Sequence, residues 1–101
     1  MEFKDSLKKI RQEKHLSQQA LSDLVGVRQY VIASWETGRS EPSIKDIIKL
    51  QSVLNVPLEY LLGIIDELPK SYELMKYYDN LDSAKQDKLL NITKEIFEIL
   101  K

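Results

Sequence analysis

Apolar residues recur along this chain at helical spacing. Phe3, Leu7 and Ile10 fall four and three apart, on one helix face, while Lys8, Lys9, Arg11 and Lys14 occupy the others. The pattern predicts a first helix that stops near His15. Ser17 is suited to cap a second helix, because its hydroxyl can accept an orphan backbone N–H of the first turn. Ala20, Leu21, Leu24 and Val25 form the buried stripe expected of that helix, and Gly26 ends it. A third helix is expected from about Arg28 to Trp35, with Val31, Ile32 and Trp35 as its apolar marks. Thr37 to Pro42 reads as a loop by composition. Ser43 caps a fourth helix whose apolar positions are Ile44, Ile47, Ile48, Leu50 and Leu54, with Asn55 at its left-handed exit. Pro57 opens a short fifth helix, Leu58 to Leu62, closed by Gly63.

Beyond a boundary at Gly63 to Leu68, Pro69 to Tyr78 reads as a sixth helix. Asn80, Leu81 and Asp82 interrupt it. Ser83 and Gln86 have the spacing of a capping box at the start of a last helix. Leu89, Ile92, Ile96 and Ile99 follow at three, four and three, the seam spacing of a helix that packs on another, and Leu90 and Phe97 add a second stripe. No segment alternates with the period of a strand. The expected fold is all-α, with a five-helix domain over residues 1–63 and a C-terminal helical extension over 64–101.

Composition narrows the chemistry. The 101 residues include no Cys and one His, which argues against a disulfide framework or a thiolate metal site. His15 sits at a helix end, where an imidazolium meets the helix dipole favourably. No Gly-rich phosphate loop, metal-ligand cluster or Ser/His/Asp set is present, so neither an enzyme nor a cofactor is expected. No signal peptide or membrane span is visible, and a cytoplasmic protein is expected. The net charge of −1 excludes binding to nucleic acid by bulk charge alone. That charge is unevenly placed. Residues 1–40 carry seven Lys and Arg against five acids, whereas residues 41–101 carry eight Lys against eleven. The Lys residues at 4, 8, 9 and 14 read as a solvated face.

Two helices separated by little more than Val25, Gly26 and Val27 have the geometry of a helix-turn-helix. From about Leu7 to Leu62 the chain resembles the XRE/Cro–cI-type helix-turn-helix domain of phage repressors and bacterial regulators. The resemblance is carried by Leu16 to Ser22 (LSQQALS), Gly26-Val27, Ile32 to Arg39 (IASWETGR), Pro42-Ser43 and Leu54 to Leu62 (LNVPLEYLL), in that order and at family-like spacing. Ser22 stands where the two helices approach closely and the family usually has Ala.

Ile32 and Trp35 lie three apart and can pin the third helix to the core. Arg28, Gln29, Tyr30, Ala33 and Ser34 then face outward, toward a DNA major groove, and are the candidates for base contact. Gln29 can pair bidentately with adenine. It also matches a position the family uses for base contact, as do Tyr30 and Ser34. For Tyr30, packing on its own domain competes with DNA contact. Ser17 and Gln18, at the start of the second helix, together with Thr37, Arg39 and Ser43, are candidates for phosphate contact. The resemblance further implies a structural salt bridge between Arg11 and Glu36.

The expected function is sequence-specific binding to double-stranded DNA by a transcriptional repressor, acting as a homodimer on a palindromic operator. Leu89, Ile92, Ile96, Phe97 and Ile99 are the expected dimer interface. The alternative is an antitoxin or anti-regulator whose C-terminal helices bind another protein.

Overall fold

The computed structural model describes residues 1–101 and is all-helical. Its seven helices are α1 (Phe3–Glu13), α2 (Gln18–Val25), α3 (Gln29–Thr37), α4 (Ile44–Leu54), α5 (Leu58–Leu61), α6 (Lys70–Asp79) and α7 (Ser83–Leu100). They form two compact units, Met1–Leu68 and Pro69–Lys101.

The first unit is built on one core. Leu7 and Ile10 of α1, Leu21 and Val25 of α2, Ile32 and Trp35 of α3, Leu50 and Leu54 of α4, and Tyr60 and Leu61 of α5 are buried together with Val56. The helix α3 packs on both α1 and α2, while α2 also meets α4 and α1 meets α5. Burying a Leu or Ile side chain such as Leu7, Leu21 or Ile32 stabilises the fold by about 1.5–3 kcal/mol. Truncating Leu21, which is fully buried, would cost about 2–5 kcal/mol once the cavity is included.

Local chemistry sets the helix ends. Ser17 Oγ accepts the backbone N–H of Ala20 at 2.9 Å and caps α2. Gly26, at φ +86°, takes the left-handed conformation that ends α2, and the N–H groups of Gly26 and Val27 both return to the Ser22 carbonyl. Only Val27 and Arg28 then separate Gly26 from α3. Arg28 is the N-cap of α3 but gives no side-chain capping bond. Ser43 and Asp46 form a reciprocal capping box on α4. The sole His, His15, closes the α1–α2 turn at φ +57°.

Three expectations about apolar and capping positions fail. Leu24 is exposed rather than part of the α2 stripe. Ser22 is fully buried beside Leu21 and Val25, and this arc leaves Leu24 about 110° from its centre at 100° per residue. Ile44 and Ile48 are likewise exposed, because Ile48 lies about 200° around the axis from buried Leu50. The last helix is capped by Asp82, whose carboxylate accepts Lys85 N–H at 2.9 Å, and not by Ser83, which already lies within the helix.

The second unit is a helical hairpin. Gln86 Nε2 donates to the Tyr78 carbonyl at 3.0 Å across the α6–α7 turn. None of the 18 residues of α7 is buried.

Candidate nucleic-acid interface

The third helix divides its residues between two faces. Ile32 and Trp35 point into the core and are almost wholly buried. Arg28, Gln29 and Tyr30 are exposed, and Ala33 and Ser34 are half-buried. Tyr30 keeps 67% of its surface open, so it does not pack into its own domain. The helix is thus anchored along one side and leaves a row of polar and small side chains on the other. An α-helix so presented fits the width of a B-DNA major groove.

A polar chain runs from that row into the interior. Gln29 Nε2 donates to Gln18 Oε1 at 2.7 Å, and Gln18 Nε2 donates to Glu36 Oε1 at 3.2 Å. Glu36 also receives Arg11, through Nε to Oε2 at 2.7 Å and Nη2 to Oε1 at 2.9 Å. The third arm of Arg11, Nη1, donates to the Leu16 carbonyl at 2.8 Å. Arg11 and Glu36 are both buried, so this fork ties α1 to the end of α3 and steadies the turn into α2. The hydrogen bond to Glu36 raises the pKa of the Arg11 guanidinium, outweighing its desolvation.

The residues expected at phosphates border this face. Gln18 lies in the first turn of α2 and Ser17 caps it. Thr37 closes α3, and Arg39 is exposed in the loop that follows. Thr37 Oγ1 donates to the Ser34 carbonyl at 3.2 Å, which holds its hydroxyl back on the helix. Ser43 is committed to its own helix: its hydroxyl donates to Asp46 at 2.9 Å and accepts the Asp46 N–H. Leu89 of α7 is half-buried, and Ile92, Ile96, Phe97 and Ile99 are exposed.

Two features escaped sequence reasoning. Ser40 pairs with Ser34 through their hydroxyls at 2.7 Å and so folds the loop back onto α3. Gln18 is a scaffold for Gln29 as well as a residue at a helix start. The composition of the Thr37–Pro42 loop hinted at the first. Only the approach of α2 to α3 reveals the second, since the two glutamines are eleven residues apart.

The helix-turn-helix family model matches residues 7–61, just over half of the chain. The chain belongs to the XRE/Cro–cI-type helix-turn-helix family. It is a DNA-binding transcriptional regulator, and its family consists of such regulators rather than enzymes. The regulator is 32% identical over 97 residues to the uncharacterised HTH-type transcriptional regulator YqaE of Bacillus subtilis, spanning 95% of this chain and 84% of that one. Its helical domain superposes on the P22 c2 repressor, solved in complex with a synthetic operator, with a TM-score of 0.58 and 27% identity. That match covers 61% of this chain and 94% of the repressor. The restriction-modification controller protein C.AhdI of Aeromonas hydrophila matches with a TM-score of 0.56 and 30% identity, over 58% and 89% of the two chains. The five-helix domain of the regulator is therefore of the lambda-repressor type. No helix of the regulator is long and apolar enough to cross a membrane.

Proposed function

We propose that this regulator is a cytoplasmic repressor that binds a palindromic operator as a homodimer, with α3 of each copy in a major groove. Residues 1–63 form the DNA-binding part and residues 64–101 the dimerising part. The observation that carries the reading is the outward row of α3, where Gln29 is exposed yet held in place by Gln18. A preset amide at the tip of a groove-sized helix suits base recognition. Arg28, Tyr30, Ala33 and Ser34 meet the neighbouring base edges. Ser17, Gln18, Thr37 and Arg39 contact phosphates, and Ser43 joins them by turning its hydroxyl from Asp46 to the DNA.

Dimerisation follows from the limits of one helix. A single recognition helix reads only a few base pairs, so useful specificity needs two half-sites roughly 34 Å apart. The P22 c2 repressor was solved with an operator, which supports a repressor's role for a similar domain. On α7, Leu89, Ile92, Ile96, Phe97 and Ile99 supply the pairing surface, because an amphipathic helix with no buried side chain has apolar area to cover.

Selection of bound duplexes from a random pool tests this. A palindrome with half-sites about one helical turn apart is expected, together with a steep loss of affinity as salt rises. Light scattering is expected to give a dimer, and Ile92→Glu with Ile96→Glu a folded monomer with weakened operator binding. A selected site without two-fold symmetry would refute the palindromic reading. The exposed α7 face also favours a second reading, in which it binds another protein. A full chain that stays monomeric at high concentration would turn the argument to that reading.

A further inference from the structure

A cavity of about 640 Å³ opens on the first unit, between the start of α1 and the loop that follows α3. That volume suits a small ligand. Phe3, Trp35, Ile47 and Leu62 give it an apolar floor, and Glu2, Lys4 and Glu41 stand at its rim. Two of its polar groups are uncommitted. The Trp35 indole N–H donates to no atom of the chain, although the residue is only 3% exposed. No sealed-off polar atom of the chain lacks a partner, so this N–H reaches open space, and the cavity is the opening that Trp35 lines. An indole N–H only donates, so it calls for an acceptor. At the rim, Lys4 pairs with Glu2 at 3.6 Å and the two charges offset each other. The Glu41 carboxylate is exposed and makes no ion pair or hydrogen bond, which leaves the rim with one unmatched negative charge.

We propose that this cavity binds a small apolar molecule carrying one amine and one carbonyl oxygen, and that the ligand tightens DNA binding. The apolar body covers the floor, the carbonyl accepts the Trp35 N–H, and the ammonium meets Glu41. The effect on DNA rests on the reading above, in which Thr37 and Arg39 contact phosphates. Residues from Thr37 to Pro42 form one wall of the cavity. The same loop is tied to α3 on its other side, by the Ser40–Ser34 hydroxyl pair at 2.7 Å and by Arg39 N–H to the Ser34 carbonyl at 3.0 Å. A ligand joining Trp35 in the core to Glu41 in the loop fixes the loop from within. Less freedom is then lost when DNA arrives, so the two binding events favour each other.

The test uses the full chain and four probes at fixed ionic strength. Leucinamide carries the amine and the carbonyl, N-acetyl-leucinamide lacks the positive charge, N-acetyl-leucine is negative, and 3-methylbutylamine lacks the carbonyl. Trp35 is the sole Trp, so its indole N–H gives a single NMR peak that reports on the cavity. Leucinamide is expected to shift that peak with half-saturation in roughly the millimolar range, and the other three to bind about threefold more weakly or worse. Glu41→Lys is expected to reverse the order of leucinamide and N-acetyl-leucine. Ile47→Phe narrows the cavity and is expected to abolish the shift. On the duplex selected from a random pool, saturating leucinamide is expected to raise the affinity of the wild type by roughly fivefold, and that of Glu41→Lys not at all.

If Ile47→Phe fails to fold, Glu41→Lys decides the matter alone, because Glu41 is exposed and supports no contact of the fold. A Trp35 peak that leucinamide leaves in place overturns the inference. Equal binding of all four probes, or an order unchanged in Glu41→Lys, overturns the assigned ligand chemistry. A shift of the peak without any gain in DNA affinity overturns the effector role. Each of these results leaves the DNA-binding reading standing. Failure of the wild type to select any duplex overturns that reading instead, and the effector role with it, while the Trp35 shift still upholds the ligand site.

Discussion

Replacing Arg11 by Met removes two hydrogen bonds to Glu36 and one to the Leu16 carbonyl. The Glu36 side chain is only 3% exposed, and Gln18 at 3.2 Å is the one other side chain donating to it. An uncompensated charge at that depth costs about 3–5 kcal/mol. A unit the size of Met1–Leu68 has a total stability of roughly 3–10 kcal/mol, so this substitution takes away a large fraction of it. Removing both charges with Arg11→Met and Glu36→Leu should be far milder, because apolar side chains of similar volume often replace a buried pair without loss. The double variant is therefore expected to be about 2 kcal/mol or more stabler than the sum of the two single losses implies. Urea unfolding followed by fluorescence measures this in the right place. Trp35 is the sole Trp, is buried, and neighbours Glu36 in the core of this unit. A loss below about 1 kcal/mol in Arg11→Met, or single losses that add in the double variant, would refute the reasoning.

Two further predictions concern backbone strain and pH. His15 holds a left-handed conformation at φ +57°, so His15→Gly should raise stability by about 0.5–1 kcal/mol in urea unfolding, and a fall would count against strain there. Burial raises the pKa of the Tyr60 phenol most, with Lys9 opposing and Glu13 adding to the rise. The neutral phenol's contribution is therefore complete below the ordinary value of about 10 and is lost as pH rises from there through the raised value. Wild type should lose stability above about pH 10 more steeply than Tyr60→Phe, and parallel curves would refute the assignment.

The helices of the first unit were legible because their signals are local. Ser17, Gly26, Ser43 and Asn55 each end or begin a helix through their own side chain or their own backbone freedom. The face each helix turns inward was less legible. Leu24 looks like a core residue by hydrophobicity, but the close approach at Ser22 rotates it outward, and no local signal reports that approach. Asp82 and Ser83 are both good capping residues, and one position of chain path decided between them. In the candidate interface, the exposure of Tyr30 followed from the burial of Ile32 and Trp35 by helical geometry, whereas Gln29, three residues before Ile32, is exposed because it stands at the helix start. The Gln29–Gln18–Glu36 line did not, because hydrogen bonds between side chains on different helices depend on interhelical distance rather than on spacing in sequence.

The two-sided character of α3 has a consequence for how such a regulator can be retargeted. Arg28, Tyr30 and Ala33 carry no burden of folding that would punish their exchange, since neither a deep core contact nor a side-chain cap depends on Arg28 or Tyr30, and Ala33 is small. On the proposed reading, drift at these positions can explore new operators while the fold stays intact. Gln29 is different. On the proposed reading, its exchange also breaks a link that leads back to the buried Glu36, so the base pair it meets is harder to rewrite with a single substitution than those its neighbours meet.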